Sequence, residues 1–274
     1  MGISRRRFLQ TLTWAGLGTA VYPLLSRVSK VEAKGWAASG LDPRPTGTKT
    51  LTKQWTMVID LKKCEGCVII NKPPQCTVTC NQGHFVPEGQ EWIKVSKVRG
   101  AGGGSHWMPF PCMHCQKAPC VDVCPVGASY YTEEGLVLID QDRCIGCRVC
   151  MAACPYHRRY FNWKQQRLTP EAALAERSPE YPVPALKGTV SKCMFCAHNV
   201  RKGKIPICVS GCPMGAIYFG DLERDIITNG MEVVPLRKTL AENNAFRFKE
   251  ELGTEPRVYY LPGYGQEFGR EARE

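Results

Sequence analysis

Sixteen cysteines in a chain of 274 residues, every one of them in a group of four, constrain this protein more than any other feature. The groups are Cys64, Cys67, Cys76, Cys80; Cys112, Cys115, Cys120, Cys124; Cys144, Cys147, Cys150, Cys154; and Cys193, Cys196, Cys208, Cys212. Each opens C-x2-C and closes C-x3-C. Only the spacer between varies, holding eight, four, two and eleven residues in chain order. A loop tolerates such insertion at one place without moving the residues that flank it.

Two readings compete for so many thiols. An even cysteine count is the mark of a disulfide scaffold in an exported protein. Zinc sites use two C-x2-C pairs separated by a longer stretch. The third group fits neither: "CIGCRVCMAACP", Cys144 to Pro155, is the run C-x2-C-x2-C-x3-C-P of bacterial ferredoxins, in which three close cysteines hold one [4Fe–4S] cubane and the fourth reaches another. The other three groups are variants of it. Proline behind the last cysteine recurs at Cys124-Pro125 and Cys212-Pro213, continued as "CPVGA" and "CPMGA", an internal repeat. With φ fixed and no N–H, such a proline suits the first turn of a helix leaving the cluster. The first group departs, with Asn81 after Cys80.

Strand signals surround the cysteine loops. "WTMVID" (55–60) precedes Cys64 and "LVLID" (136–140) precedes Cys144, each leading into a C-x-G-C loop. "ASYYTEEGLVLID" predicts a hairpin turned at Glu134-Gly135, and "AIYFGDL" (216–222) repeats its first arm. The expected fold class is α+β: two bacterial-ferredoxin-like modules of short strands, cysteine loops and short helices, with inserted loops and a C-terminal extension. Cubanes replace most of an ordinary core.

The formal charge of +11 would ordinarily raise nucleic acid or an anionic membrane as partner. Residues 1–33 account for +4 of it, leaving +7. Four oxidised cubanes with four thiolates each, roughly −2 apiece, bring the remainder to about −1. No aromatic-interleaved basic stripe is present, and nucleic acid is not an expected partner. The N-terminus reads as an address: "SRRRFLQ" (4–10), an uncharged stretch to Ser26, then "VEA" ending at Ala33, the layout of a twin-arginine export signal. A retained membrane anchor is the alternative, weakened by Thr11, Thr13, Gly16, Gly18 and Pro23. Such a route carries proteins folded around cofactors inserted in the reducing cytosol, which agrees with the cysteine reading.

The four motifs, with "PCMHC", "CIGCRVCMAACPY", "GCPMGAIYFGDL" and the closing "EELGTEPRVYYLP" (250–262), resemble the four-cluster iron–sulfur subunits that accompany molybdopterin oxidoreductases of the dimethyl sulfoxide reductase superfamily, and the related periplasmic subunits of quinone-linked complexes. The resemblance covers nearly all of the chain after the signal. It implies nested ligation: Cys64, Cys67 and Cys76 with Cys212; Cys193, Cys196 and Cys208 with Cys80; Cys112, Cys115 and Cys120 with Cys154; Cys144, Cys147 and Cys150 with Cys124. The insertion "VIINKPPQ" (68–75) departs from the family pattern. The expected organisation is a signal peptide (1–33), a linker (34–54), the first part of an outer module (55–100), an inner module (101–163), a proline-rich insertion (164–190), the second part of the outer module (191–222) and a partner-facing extension (223–274).

Of the five histidines, His84, His106, His114, His157 and His198, none follows a C-x2-C, which excludes covalent c-type haem. His114 and His198 lie beside expected ligands and either hydrogen-bond near the sulfurs, tuning their potential, or do nothing special. "HRRY" (157–160) is either a basic contact for a partner or quinone headgroup or a solvated turn. The insertion is a surface excursion or a docking element, the second being favoured because redox subunits fix a partner's position. "GAGGG" (100–104) lacks a Walker lysine and reads as a flexible connection. No hydrolytic or acid–base constellation stands out, so no catalytic site of its own is expected.

The resulting expectation is a periplasmic electron-transfer subunit carrying four [4Fe–4S] clusters as a wire. It would lie between an integral membrane quinone-reactive subunit and a catalytic molybdopterin, multihaem or other redox partner. A free-standing polyferredoxin, and a disulfide or zinc structural protein, are the alternatives.

Overall fold

A computed structural model describes residues 53–99 and 104–263. The signal peptide, nearly all of the linker, most of the glycine run and the last eleven residues lie outside that range.

The strands run in chain order as β1 (Trp55–Asp60), β2 (Lys94–Arg99), β3 (Ser105–Phe110), β4 (Ser129–Tyr131), β5 (Val137–Ile139), β6 (Tyr160–Phe161), β7 (Val190–Ser191), β8 (Ile217–Asp221), β9 (Ile226–Thr228), β10 (Val233–Pro235) and β11 (Val258–Leu261). Five form one sheet in the order β10-β9-β8-β1-β11; the rest are two-stranded. Among the described residues seven helices join them: α1 (Gln75–His84), α2 (Pro119–Asp122), α3 (Val149–Ala152), α4 (Pro170–Ala173), α5 (Ala197–Val200), α6 (Ile207–Ser210) and α7 (Leu236–Glu242). This is the expected α+β mixture of short elements. Among the described residues no helix is long and apolar enough to cross a membrane.

Strand β1 shows how the sheet divides the interior. Side chains alternate faces along a strand, so Met57 and Ile59 pack into the large core with the cysteines, while Val58 packs on the opposite face with Tyr218, Ile227, Leu236 and Leu261. Antiparallel β8 repeats the division, with Ile217 and Phe219 on the cysteine side. The other neighbour of β1 comes from the C-terminal extension: β11 pairs in parallel, Met57 opposite Val258, and Tyr260 is wholly buried. Its hydroxyl donates to the Pro109 carbonyl at 2.9 Å. That part of the extension is therefore an edge strand of the core sheet.

The two hairpin arms are equivalent in detail. The Asp60 N–H donates to the Ala216 carbonyl at 2.8 Å and the Asp140 N–H to the Ala128 carbonyl at 2.8 Å. Each aspartate side chain accepts from the N–H two residues on, at 2.9 Å, an Asx turn that steers the chain from strand into cysteine loop. The helices pair as well. Helix α1 packs on α6 and α2 on α3, so each pair carries cysteines from two distant motifs.

The prolines after cysteine do something other than expected. No helix follows Pro125, Pro155 or Pro213; each opens a tight turn, closed by N–H donation from Gly127, His157 and Gly215 to the Cys124, Cys154 and Cys212 carbonyls at 3.1–3.3 Å. The fixed φ of proline suits the second position of a β-turn equally well, and the helices precede the last cysteine instead. Cys80, lacking the proline, sits inside α1, which runs on to His84.

The insertion is half clamp and half surface. Its second part ties both modules together: the Tyr181 hydroxyl donates to the Gly83 carbonyl at 2.9 Å, Tyr130 donates to Glu180 at 2.6 Å, and the Gln141 N–H donates to the Pro179 carbonyl at 3.0 Å. Its first part leaves Leu168 and Leu174 exposed. Tyr181→Phe should therefore cost about 1 kcal/mol in chemical denaturation; an unchanged midpoint would mean that the clamp carries no stability.

Candidate metal centres

All sixteen cysteines carry free thiols, and twelve of them are buried. They line four cavities. The first holds Cys64, Cys67, Cys76 and Cys212 around about 320 Å³ of empty space. The second holds Cys80, Cys193, Cys196 and Cys208 around about 300 Å³. The third holds Cys112, Cys115, Cys120 and Cys154, and the fourth Cys124, Cys144, Cys147 and Cys150, each around about 330 Å³. Every cavity takes three cysteines from one motif and the last of another, first with fourth and second with third. The insertion "VIINKPPQ" does not remove the first cavity; it exposes Val68 and Ile69 beside it.

The cavities follow one another in that order. Cys76 and Cys80 stand one helical turn apart on α1, about 6 Å along its axis, and α6 carries Cys208 toward Cys212 in the same way. Cys193 of the second cavity is joined to the loop of the third by His114, whose Nε2 lies 3.1 Å from the Cys193 carbonyl. Helices α2 and α3 span the third and fourth with Cys120 to Cys124 and Cys150 to Cys154. Cys147, at the far end, is the exposed thiol.

A local backbone rule shapes all four loops. The third residue of each C-x2-C is left-handed: Gly66 at φ 61°, His114 at 43°, Gly146 at 70° and Phe195 at 50°. Glycine meets that conformation without strain. His114 and Phe195 are held in it by each other, their rings stacked with centroids 3.8 Å apart. His114 is further pinned, accepting at Nδ1 from the Val137 N–H at 3.1 Å with Nε2 facing the Cys193 carbonyl at 3.1 Å.

The electrostatics ask for a cation in each cavity. Without one, burial pushes the Cys76, Cys115 and Cys196 thiols up to about 12 and Cys64, Cys120 and Cys193 up to about 11, with neighbouring sulfurs adding to it. Four such thiols become thiolates together only against positive charge, so metal loading here releases protons. Backbone N–H groups already point at sulfur: Gln75 to Cys67, Ile207 to Cys196 and Ala216 to Cys212 at 3.4 Å, and Ser129 to Cys124 at 3.5 Å. Donors of this kind stabilise thiolate and tune a bound metal.

Which metal follows from the donor sets. A single tetrahedral zinc, with Zn–S of about 2.3 Å, draws its ligands to within about 4 Å of one another. Among the described residues no group of three His, Cys, Asp or Glu is arranged to hold a single ion. Four cysteines converging from two motifs on each cavity, three of them from one C-x2-C loop and its spacer, suit a multi-iron core, and the free thiols set aside the disulfide scaffold.

The histidine expectations need correction. Neither His114 nor His198 donates to sulfur; the first bonds backbone and the second stacks on Tyr181, centroids 4.4 Å apart. His84 is the one at a sulfur, Nε2 lying 3.4 Å from Cys196 Sγ and Nδ1 3.0 Å from the Cys80 carbonyl. Burial drives its pKa down to about 4, which leaves the ring neutral. The signal was present in the sequence: with asparagine after Cys80 the helix continues, and His84 falls four residues on, on the same face. "HRRY" also divides. His157 is exposed, but Arg159 is 4% exposed and points inward at sulfur, so it is neither a partner contact nor a solvated turn.

Comparison with known proteins agrees with this chemistry. The 4Fe-4S dicluster domain family matches residues 105–178 and 177–222. A selenate reductase subunit of Mesobacillus selenatarsenatis is 40% identical over 76% of this chain and 72% of its own. The thiosulfate reductase electron transfer subunit of Salmonella typhi is 39% identical over 65% of this chain and 81% of its own. The iron-sulfur cluster-binding subunit of menaquinone reductase from Nitratidesulfovibrio vulgaris is 37% identical over 76% and 88%.

Proposed function

This chain belongs to the 4Fe-4S dicluster family of iron–sulfur electron-transfer subunits of oxidoreductase complexes, and from that premise we propose that it is a four-cluster wire in a periplasmic respiratory complex. The observation that carries the reading is the gathering of sixteen free cysteines, four by four, around four successive cavities. Each set of four holds one [4Fe–4S] cluster, which when bound supplies one-electron chemistry. The work of the chain is positional. Helices α1, α2, α3 and α6 set the spacing between neighbouring cavities, and the N–H donors and burial set the potential of each.

The end cavities are where electrons enter and leave. One end faces an integral membrane quinone-reactive subunit and the other a catalytic molybdopterin or multihaem subunit, in keeping with relatives named for selenate, thiosulfate and menaquinone reduction. The N-terminal "SRRRFLQ" supports export of the folded, loaded protein by the twin-arginine route. Partner subunits then hold it at the membrane.

Iron and acid-labile sulfide on protein purified anaerobically with its native partners test the reading. About sixteen of each, with co-purifying membrane and catalytic subunits, is the expected result. About twelve would remove one cluster from the wire, and loaded protein that purifies alone at low salt would favour a free-standing polyferredoxin.

A further inference from the structure

Arg159 is buried, 4% exposed, and aimed at two sulfur sets at once. Its Nη2 donates to Cys120 Sγ of the third cavity at 2.9 Å. Cys150 of the fourth lies within electrostatic reach of the same guanidinium. Its Nη1 donates to Ser129 Oγ at 2.7 Å, and the Ser129 N–H in turn points at Cys124 Sγ of that fourth cavity. Among the described residues no carboxylate forms an ion pair with Arg159, and its Nε has no hydrogen-bond partner.

A buried charge without a counter-ion is costly, so a fold retains one only where something balances it. Here the sole candidates are the sulfurs. Lys192, a second buried cation close by, differs: its ammonium donates to the Cys193 carbonyl at 2.7 Å and makes no hydrogen bond to sulfur. Resting on the four-cluster reading, we infer that Arg159 is a positioning residue for electrons, the counter-charge shared by the third and fourth clusters. It raises both potentials, because it stabilises an added electron on either cluster, and so offsets part of the repulsion when both are reduced. The physical reason is Coulombic. Reduction adds one negative charge beside a fixed positive one in a poorly screened interior, and the arginine touches a sulfur of the third set and reaches the fourth through Ser129.

The test is an electron paramagnetic resonance redox titration, with iron and sulfide content, on wild type, R159Q, R159K and S129A. In R159Q with full iron, two of the four midpoint potentials are expected to fall. At fixed potential the oxidised-to-reduced ratio of each should change about tenfold, which is about 59 mV for one electron. The other two should stay where they are. R159K should restore most of the loss, and S129A, which removes the orienting hydroxyl but keeps the charge, should move the same two potentials less. Unmoved potentials in fully loaded R159Q, a response confined to one cluster, or equal loss of iron from R159Q and R159K would overturn the inference. A wild type with fewer than about sixteen iron would instead strike the four-cluster reading, before any variant is compared.

Discussion

Stripping the iron from this protein anaerobically is expected to unfold the described chain and not simply bleach it. The cysteines do not decorate a core that exists without them; they are part of it. Met57, Ile59, Val121, Leu138, Val209 and Ile217 belong to one buried cluster together with eleven of the thiols, and that cluster surrounds the four cavities. Side chains that line an unfilled space lose their van der Waals partners on one side. Removing a single buried leucine side chain already costs about 2–5 kcal/mol, and four unfilled centres at once weigh against a whole-domain stability of about 5–15 kcal/mol. Filling them with water offers little relief, because protonated thiols and aliphatic carbon supply few partners. Binding energy for the metal is thus folding energy. Near-ultraviolet circular dichroism and limited proteolysis, before and after anaerobic chelation, check this. An iron-free protein with the native aromatic spectrum and native resistance would show that the polypeptide packs on its own.

Gly146→Ala is expected to empty the fourth cavity. At φ 70° any side chain is strained, and a Cβ there would lie 2.0 Å from the Gly188 carbonyl oxygen and 3.1 Å from the Phe161 ring. The first neighbour is backbone and cannot rotate away. The Gly188 N–H is committed to the Asn162 carbonyl at 2.8 Å, so moving it unpicks the turn behind β6. The loop carrying Cys144 and Cys147 must therefore shift, and iron should fall from about sixteen to about twelve atoms. Gly188→Ala is the matched control. It too has a positive φ, 83°, but nothing stands within 4 Å of its Cβ, so the cost is the left-handed backbone alone, about 1–2 kcal/mol, with iron retained. Equal iron loss from both variants would mean that strain, and not the carbonyl clash, decides the outcome.

Much of this protein was legible without a structure because its signals are local. Cysteine spacing lies within single loops, and the hairpin at Glu134-Gly135 is built by neighbours: the Gly135 N–H donates to the Thr132 carbonyl at 3.0 Å, with φ 75° at the glycine. Glycine fills the left-handed position in two of the cysteine loops, Gly66 and Gly146. At His114 and Phe195 no such residue marks it, and the two rings stack across 81 positions of sequence. The proline turns misled because a fixed φ fits a helix start and a β-turn alike.

By itself, the sequence determined the chemistry: sixteen thiols in four loops, an α+β fold of short elements around them, and iron and sulfur as the fitting occupant. Only tertiary structure decided how those loops face one another and what else reaches them. Arg159 touches Cys120 from 39 residues away, His84 reaches Cys196 from 112, and the Thr56 hydroxyl donates to the Arg257 carbonyl from 201. The reason is physical. A turn or a metal loop is specified by residues close enough in the chain to meet unaided, whereas a buried cation between two sulfur sets is specified by packing, which leaves no spacing to read.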